Sequence, residues 1–122
     1  MSLTGEPAID AARLLSRLRA LGAIGRDANG ALTRLAASDA DKAARDRLCE
    51  WMTAAGLTVQ VDAVGHLFGR WGEDEGIAPI VLGSHIDTVV DAGIYDGAYG
   101  VLAALEVIES LRAWNLRRAS AS

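Results

Sequence analysis

Residues 79–83, Pro-Ile-Val-Leu-Gly, form a continuous apolar run too short for a helix and without polar alternation, and the chain passes from it directly into Ser84, His85, Ile86 and Asp87. Such a run is expected of a strand buried on both faces. A strand of that kind needs helices over its sheet, which makes the fold class α/β, with helices packed on a mixed sheet. It also puts His85 at or just past the strand's carboxyl end, where α/β sheets collect ligands in a crevice. His85, Asp87, Asp91 and Asp96 then follow within twelve residues, interleaved with glycines. That density of polar groups beside an apolar run marks a site rather than a core.

The rest of the chain supplies the layers such a strand requires. Pro7 suits a first helical turn, and Ala11, Leu14, Leu15, Leu18 and Leu21 recur at helical spacing until Gly22 and Gly25 stop them. Residues 26–37 carry the Asn29-Gly30 turn signal and no sustained period, so they read as a loop containing Thr33 and Arg34. Ser38 followed by Asp41 resembles a capping box, and Ala44, Leu48, Trp51, Met52 and Ala55 make one apolar stripe ending at Gly56. Residues 57–62 alternate strictly and 66–71 follow across a turn at Gly65, which predicts a β-hairpin. After Asp96-Gly97 the spacing of Val101, Leu102, Leu105, Ile108 and Leu111 predicts a third helix to about Trp114. Residues 117–122, Arg-Arg-Ala-Ser-Ala-Ser, read as a frayed tail.

Composition narrows the function classes. With 122 residues and 51% hydrophobic content the chain has ample material for one core. A net charge of −4, with no basic block longer than Arg117-Arg118, leaves no electrostatic footprint for nucleic acid or an anionic membrane. The single cysteine, Cys49, excludes an internal disulfide, and it reads as a small packing residue on the second helix. The opening residues are neither cationic nor followed by an apolar signal core, so a cytoplasmic location is expected.

Residues two apart on an extended backbone point the same way, so Asp87 can accept a hydrogen bond from one nitrogen of His85 and leave the other free for a metal. Asp96, across a loop containing Gly93, can fold back to the same histidine. Nitrogen and carboxylate oxygen suit Zn, Mn, Co or Ni. Two ligands are fewer than the three of a catalytic zinc site, so the chain offers part of a site. On its own, His-x-Asp is a common pattern, and taken alone it reads as a hydrogen-bonded pair closing a strand rather than as a metal site. Ser84 cannot use His85 as a base, because adjacent strand residues face opposite sides. Glycines 93, 97 and 100 lack the phosphate-binding spacings. His66 reads as an exposed polar residue, Arg34 as a surface or ion-pairing arginine with some capacity to bind a carboxylate, and Glu106 and Glu109 as solvated helix charges.

Taken together, residues 83–89, 92–97 and 100–103 with Glu106 resemble the metal-binding region of the amidase branch of the zinc-dependent aminoacylase and exopeptidase superfamily. N-carbamoyl-L-amino acid hydrolases, allantoate amidohydrolases and ureidoglycolate-type hydrolases make up that branch. The likeness extends over Leu32–Leu35, the second helix and residues 61–69, or roughly 20–116. The short His85–Asp96 interval resembles the amidase branch rather than the peptidases and deacylases, which remain a rival reading. The resemblance implies that His85 binds one metal, Asp96 bridges two divalent ions, and Asp87 is the catalytic carboxylate supporting His85. It further implies a cis peptide after Asp96, a small-molecule substrate, a homodimer, and a glutamate general base with further ligands that this chain does not contain. Residues 1–116 would then be the amino-terminal part of a phosphorylase/hydrolase-like zinc-peptidase domain, incomplete and inactive as an isolated fragment. His66 stands where the branch more often has asparagine, Tyr95 where it has phenylalanine, and residues 117–122 replace the expected lead into an apolar strand. A non-catalytic, self-associating fragment is the rival from another class.

Overall fold

The computed structural model describes residues 5–72 and 76–121. Three helices and one hairpin follow in the order α1 (Ala11–Gly22), α2 (Asp39–Ala54), β1 (Thr58–Val61), β2 (Leu67–Arg70) and α3 (Ala98–Ala121). Helix α1 starts later than Pro7 predicts, because Asp10 is the better cap: its carboxylate accepts the Arg13 N–H at 3.0 Å. Leu14, Leu18 and Leu21 form its buried stripe. Helix α2 starts as its sequence predicts, with the Ser38 hydroxyl accepting the Asp41 N–H. The Asp41 carboxylate reaches back one residue further than a capping box requires, to the Ala37 N–H at 2.9 Å. Gly56 takes a left-handed φ of +85° just past the helix and turns the chain into β1.

Strands β1 and β2 pair antiparallel, with Thr58 opposite Arg70 and Val61 opposite Leu67. Helix α2 packs on this hairpin and α1 packs on α3. One apolar core joins them, running from Leu14, Leu18 and Leu21 through Ala44, Leu48 and Met52 to Ile86, Leu102 and Leu105.

Residues 80–83 depart from expectation. They form no strand, and Ile80, Val81 and Leu82 are 92%, 74% and 52% exposed. An apolar run becomes a buried strand only when neighbours supply hydrogen bonds and cover both faces. Among the described residues the hairpin strands pair only with each other. At the other end, α3 continues through Arg117 and Arg118 to Ala121, where the sequence predicts fraying. Residues 115–120 are exposed, and within this extension Arg118 lies over the Trp114 ring. No helix among the described residues is long and apolar enough to cross a membrane.

Polar contacts clamp α1 to α3. Glu106, predicted as a solvated charge, is fully buried. Its carboxylate accepts from Arg13 Nε and Nη2 at 2.7 and 2.6 Å, from the Asp10 N–H at 3.1 Å and from the Ser110 hydroxyl at 2.7 Å. Burial pushes this carboxyl up, but the Arg13 and backbone hydrogen bonds outweigh it and hold the group down at about 2. Glu109 pairs with Arg17 at 2.8 Å and with Arg13 at 3.0 Å.

Candidate metal centre

The site is built on an extended stretch in which exposure alternates. Ile86 and Thr88 are buried, while His85 is exposed and Asp87 half-exposed. The loop before α2 fastens the inward side. Arg34 Nε donates to the Ile86 carbonyl at 2.9 Å, the Arg34 N–H donates to Thr88 Oγ1 at 2.7 Å, and the Thr88 N–H donates to the Arg34 carbonyl at 2.7 Å. Four residues on, the Ala92 N–H donates to the Leu32 carbonyl at 2.7 Å. With Ile86 and Thr88 held inward, period-two geometry turns His85 and Asp87 outward on one side.

On that side the two nitrogens of His85 meet different surroundings. Nδ1 lies 3.2 Å from Asp87 Oδ1 and 3.0 Å from the Asp87 carbonyl oxygen. Both are acceptors, which assigns the proton of a neutral ring to Nδ1. Nε2 faces Asp96 Oδ2 at 3.7 Å, beyond hydrogen-bond range. The nitrogen left with a lone pair and the carboxylate oxygen therefore stand 3.7 Å apart with no hydrogen bond between them, and among the described residues no donor is bonded to that oxygen, a separation that a cation would bridge.

Asp96 gets there because of the residue after it. Gly97 has φ +72°, and a Cβ at that position would stand 2.6 Å from the His85 carbonyl oxygen and overlap the ring. Only glycine tolerates both the left-handed turn and the close approach. The Asp96–Gly97 bond is trans, as are all peptide bonds among the described residues, where the family resemblance implies cis. The left-handed turn at Gly97 already brings the chain over His85 and into α3. Asp91 stays apart from the histidine, in a turn of its own with φ +53° and its N–H donating to Thr33 Oγ1.

The donor set is incomplete. Among the described residues no group of three or more His, Cys, Asp or Glu side chains is arranged around a common ion position. His85 Nε2 and Asp96 Oδ2, with Asp87 beside the ring, match a divalent ion in donor type and spacing, since such ions bind imidazole and carboxylate at about 2.0–2.2 Å from each donor. The second histidine is no part of this arrangement. His66 is exposed, pairs through Nδ1 with Asp62 Oδ2 at 2.8 Å, and stands edge-on to Phe68. His85 and Asp87 also line a cleft of about 430 Å³ whose walls include Met52, Leu57, Leu82 and Leu105.

Two residues behave differently from expectation. Arg34 is 1% exposed rather than on the surface, and its guanidinium also donates to the Leu21 and Ile24 carbonyls at 2.9 and 2.7 Å. Nothing local in Thr33-Arg34-Leu35 signals this, because every partner of the side chain lies ten or more residues away. Glu106 did carry a signal, as it follows Leu102 by one helical turn and so falls within the apolar stripe.

No family model matches the chain. It is 38% identical over 104 residues to the N-carbamoyl-L-amino acid amidohydrolase of Geobacillus stearothermophilus, spanning 84% of this chain and 25% of that protein. It is 40% identical over 98 residues to allantoate deiminase 1 of Glycine max, spanning 80% of this chain and 20% of the relative. The crystal structure of a hydantoinase/carbamoylase family amidase from Burkholderia ambifaria superposes with a TM-score of 0.82 at 46% identity, over 88% of this chain and 27% of that one. The chain thus spans about a quarter of the length of the proteins it matches. Identity at this level over most of the chain, together with the superposition, makes it a homologue of the hydantoinase/carbamoylase amidases over about a quarter of their length.

Proposed function

We propose that this chain carries part of the metal site of a hydrolase acting on linear amide or ureido C–N bonds of the N-carbamoyl-amino acid or allantoate type. The names of its relatives support the reaction class. One observation carries the assignment of residues: His85 Nε2 and Asp96 Oδ2 face each other at 3.7 Å without a donor between them. In this reading His85 and Asp96 are metal ligands, and Asp96 keeps a second oxygen for a second divalent ion. Asp87 orients His85 through its carbonyl oxygen, which accepts from Nδ1 at 3.0 Å with the carboxylate beside it at 3.2 Å, and this fixes the tautomer that leaves Nε2 free. A divalent ion held there would polarise the scissile carbonyl and acidify a water molecule. The intact enzyme uses two ions from among Zn, Mn, Co and Ni, acts on a small molecule and forms a homodimer, with this chain as the front of its zinc-peptidase-like catalytic domain.

Two ligands fall short of a catalytic set, so the 122-residue chain binds one ion weakly and does not turn over substrate. Calorimetric titration of the chain with zinc and with manganese tests the reading. Binding that Asp96→Ala abolishes is expected, and binding indifferent to that change would overturn it.

A further inference from the structure

We infer that Arg34 is a positioning residue for the His85–Asp87 pair: its guanidinium and backbone lock residues 86–88 in the conformation that turns both side chains to one face. The inference rests on the metal-site reading above and adds a residue to it. A cation with 1% exposure is costly to bury, and among the described residues no carboxylate lies within ion-pair distance of Arg34. A leucine or methionine would fill the same space without that cost. The guanidinium supplies directed donors where regular structure supplies none. Residues 84–88 belong to no strand, so the Ile86 carbonyl has no sheet partner, and Arg34 Nε occupies it at 2.9 Å.

Ile86 is the residue between His85 and Asp87, so this bond fixes the peptide that relates their side chains. The same guanidinium is anchored at its far end by the carbonyls of Leu21, in the last turn of α1, and Ile24, just beyond it. Meanwhile the Arg34 N–H and carbonyl grip Thr88 on the other side of Asp87, both at 2.7 Å. The clamp therefore brackets Asp87 from two directions and touches neither candidate ligand.

The test uses the 122-residue chain, with the His85 tautomer read from ring-nitrogen NMR shifts at about pH 8, where an ordinary imidazole is neutral, and zinc affinity measured beside it. In the wild type, the Nδ1–H tautomer and a through-hydrogen-bond coupling from Arg34 Nε to the Ile86 carbonyl are expected. Arg34→Lys keeps the charge but loses the fork, and Thr88→Val loosens the clamp without stranding a charge. Both should move the ring toward the Nε2–H tautomer and weaken zinc binding about tenfold. Leu18→Ala, which disturbs only the core, should change neither. An unaltered tautomer in a folded Arg34→Lys or Thr88→Val chain would overturn the inference, as would the same shift in Leu18→Ala. Should both variants fail to fold, absence of the wild-type coupling overturns it and its presence upholds it. A wild type that shows the tautomer dependence yet binds no zinc would sink the metal reading and leave the clamp standing.

Discussion

Two clusters of charge stand on α3 or just before it, and they are built on opposite terms. At Glu106 every carboxylate oxygen is buried and met by donors from Arg13, Asp10 and Ser110. At His85 and Asp96 the side chains are open to solvent, and one nitrogen faces one oxygen across 3.7 Å with nothing to donate. The first cluster has no capacity left for a ligand and works only as a clamp between helices. The second contributes little packing and is chemically unfinished. Charge density alone does not distinguish a site from a strut; satisfaction of the donors and acceptors does.

That contrast can be broken from either side. The largest expected effect is at the strut. Arg13→Ala strands the buried Glu106 carboxylate and should cost about 3 kcal/mol in urea unfolding, within the range for breaking a buried pair, while zinc binding stays intact. Acid acts on the same group. The Glu106 carboxyl is held at about 2 against an ordinary value near 4.5, so its folded value is depressed. Its contribution is complete above the unfolded value and fades as the pH falls from about 4.5 to 2. At 1.36 kcal/mol for each unit, that is about 3 kcal/mol at most. Glu106→Gln should flatten this part of the stability profile, and an unchanged profile would mean that other carboxylates carry the acid sensitivity.

At the open site the order of effects reverses. Asp87→Asn should weaken zinc binding by about 10–100-fold, as expected for the partner of a metal-binding histidine, with little change in the unfolding midpoint. The smallest effect should be that of Asp96→Asn on stability. An exposed carboxylate without hydrogen-bond partners among the described contacts is expected to matter by no more than about 0.5 kcal/mol. A large loss of stability there would make Asp96 a structural residue and erase the difference between the two regions.

What the sequence revealed, and what it concealed, divides along the same physical line. Helix α2 was legible from Ser38, the Ala44–Leu48–Met52 stripe and Gly56, because capping and periodicity are local. The hairpin was legible from its alternation. The common facing of His85 and Asp87 follows from period-two geometry, and the return of Asp96 from the glycine-bearing loop. Arg34 and Glu106 were misjudged because their partners lie far along the chain: Ile86 for the one, Asp10 and Arg13 for the other. Residues 80–83 were misjudged for a related reason. Ile80, Val81 and Leu82 have the composition of a buried strand, but burial is a property of what lies beside them, and no strand among the described residues does.

The chain has two histidines, one at each kind of aspartate neighbour, and this provides its own control. X-ray absorption at the zinc edge of the zinc-loaded chain, repeated for His85→Ala and His66→Ala, tests the central claim most directly. A single imidazole in the zinc shell is predicted, lost in His85→Ala and retained in His66→Ala. An imidazole signal that survives the loss of His85, or disappears with His66, would contradict the assignment of His85 and Asp96 as the ion-binding pair.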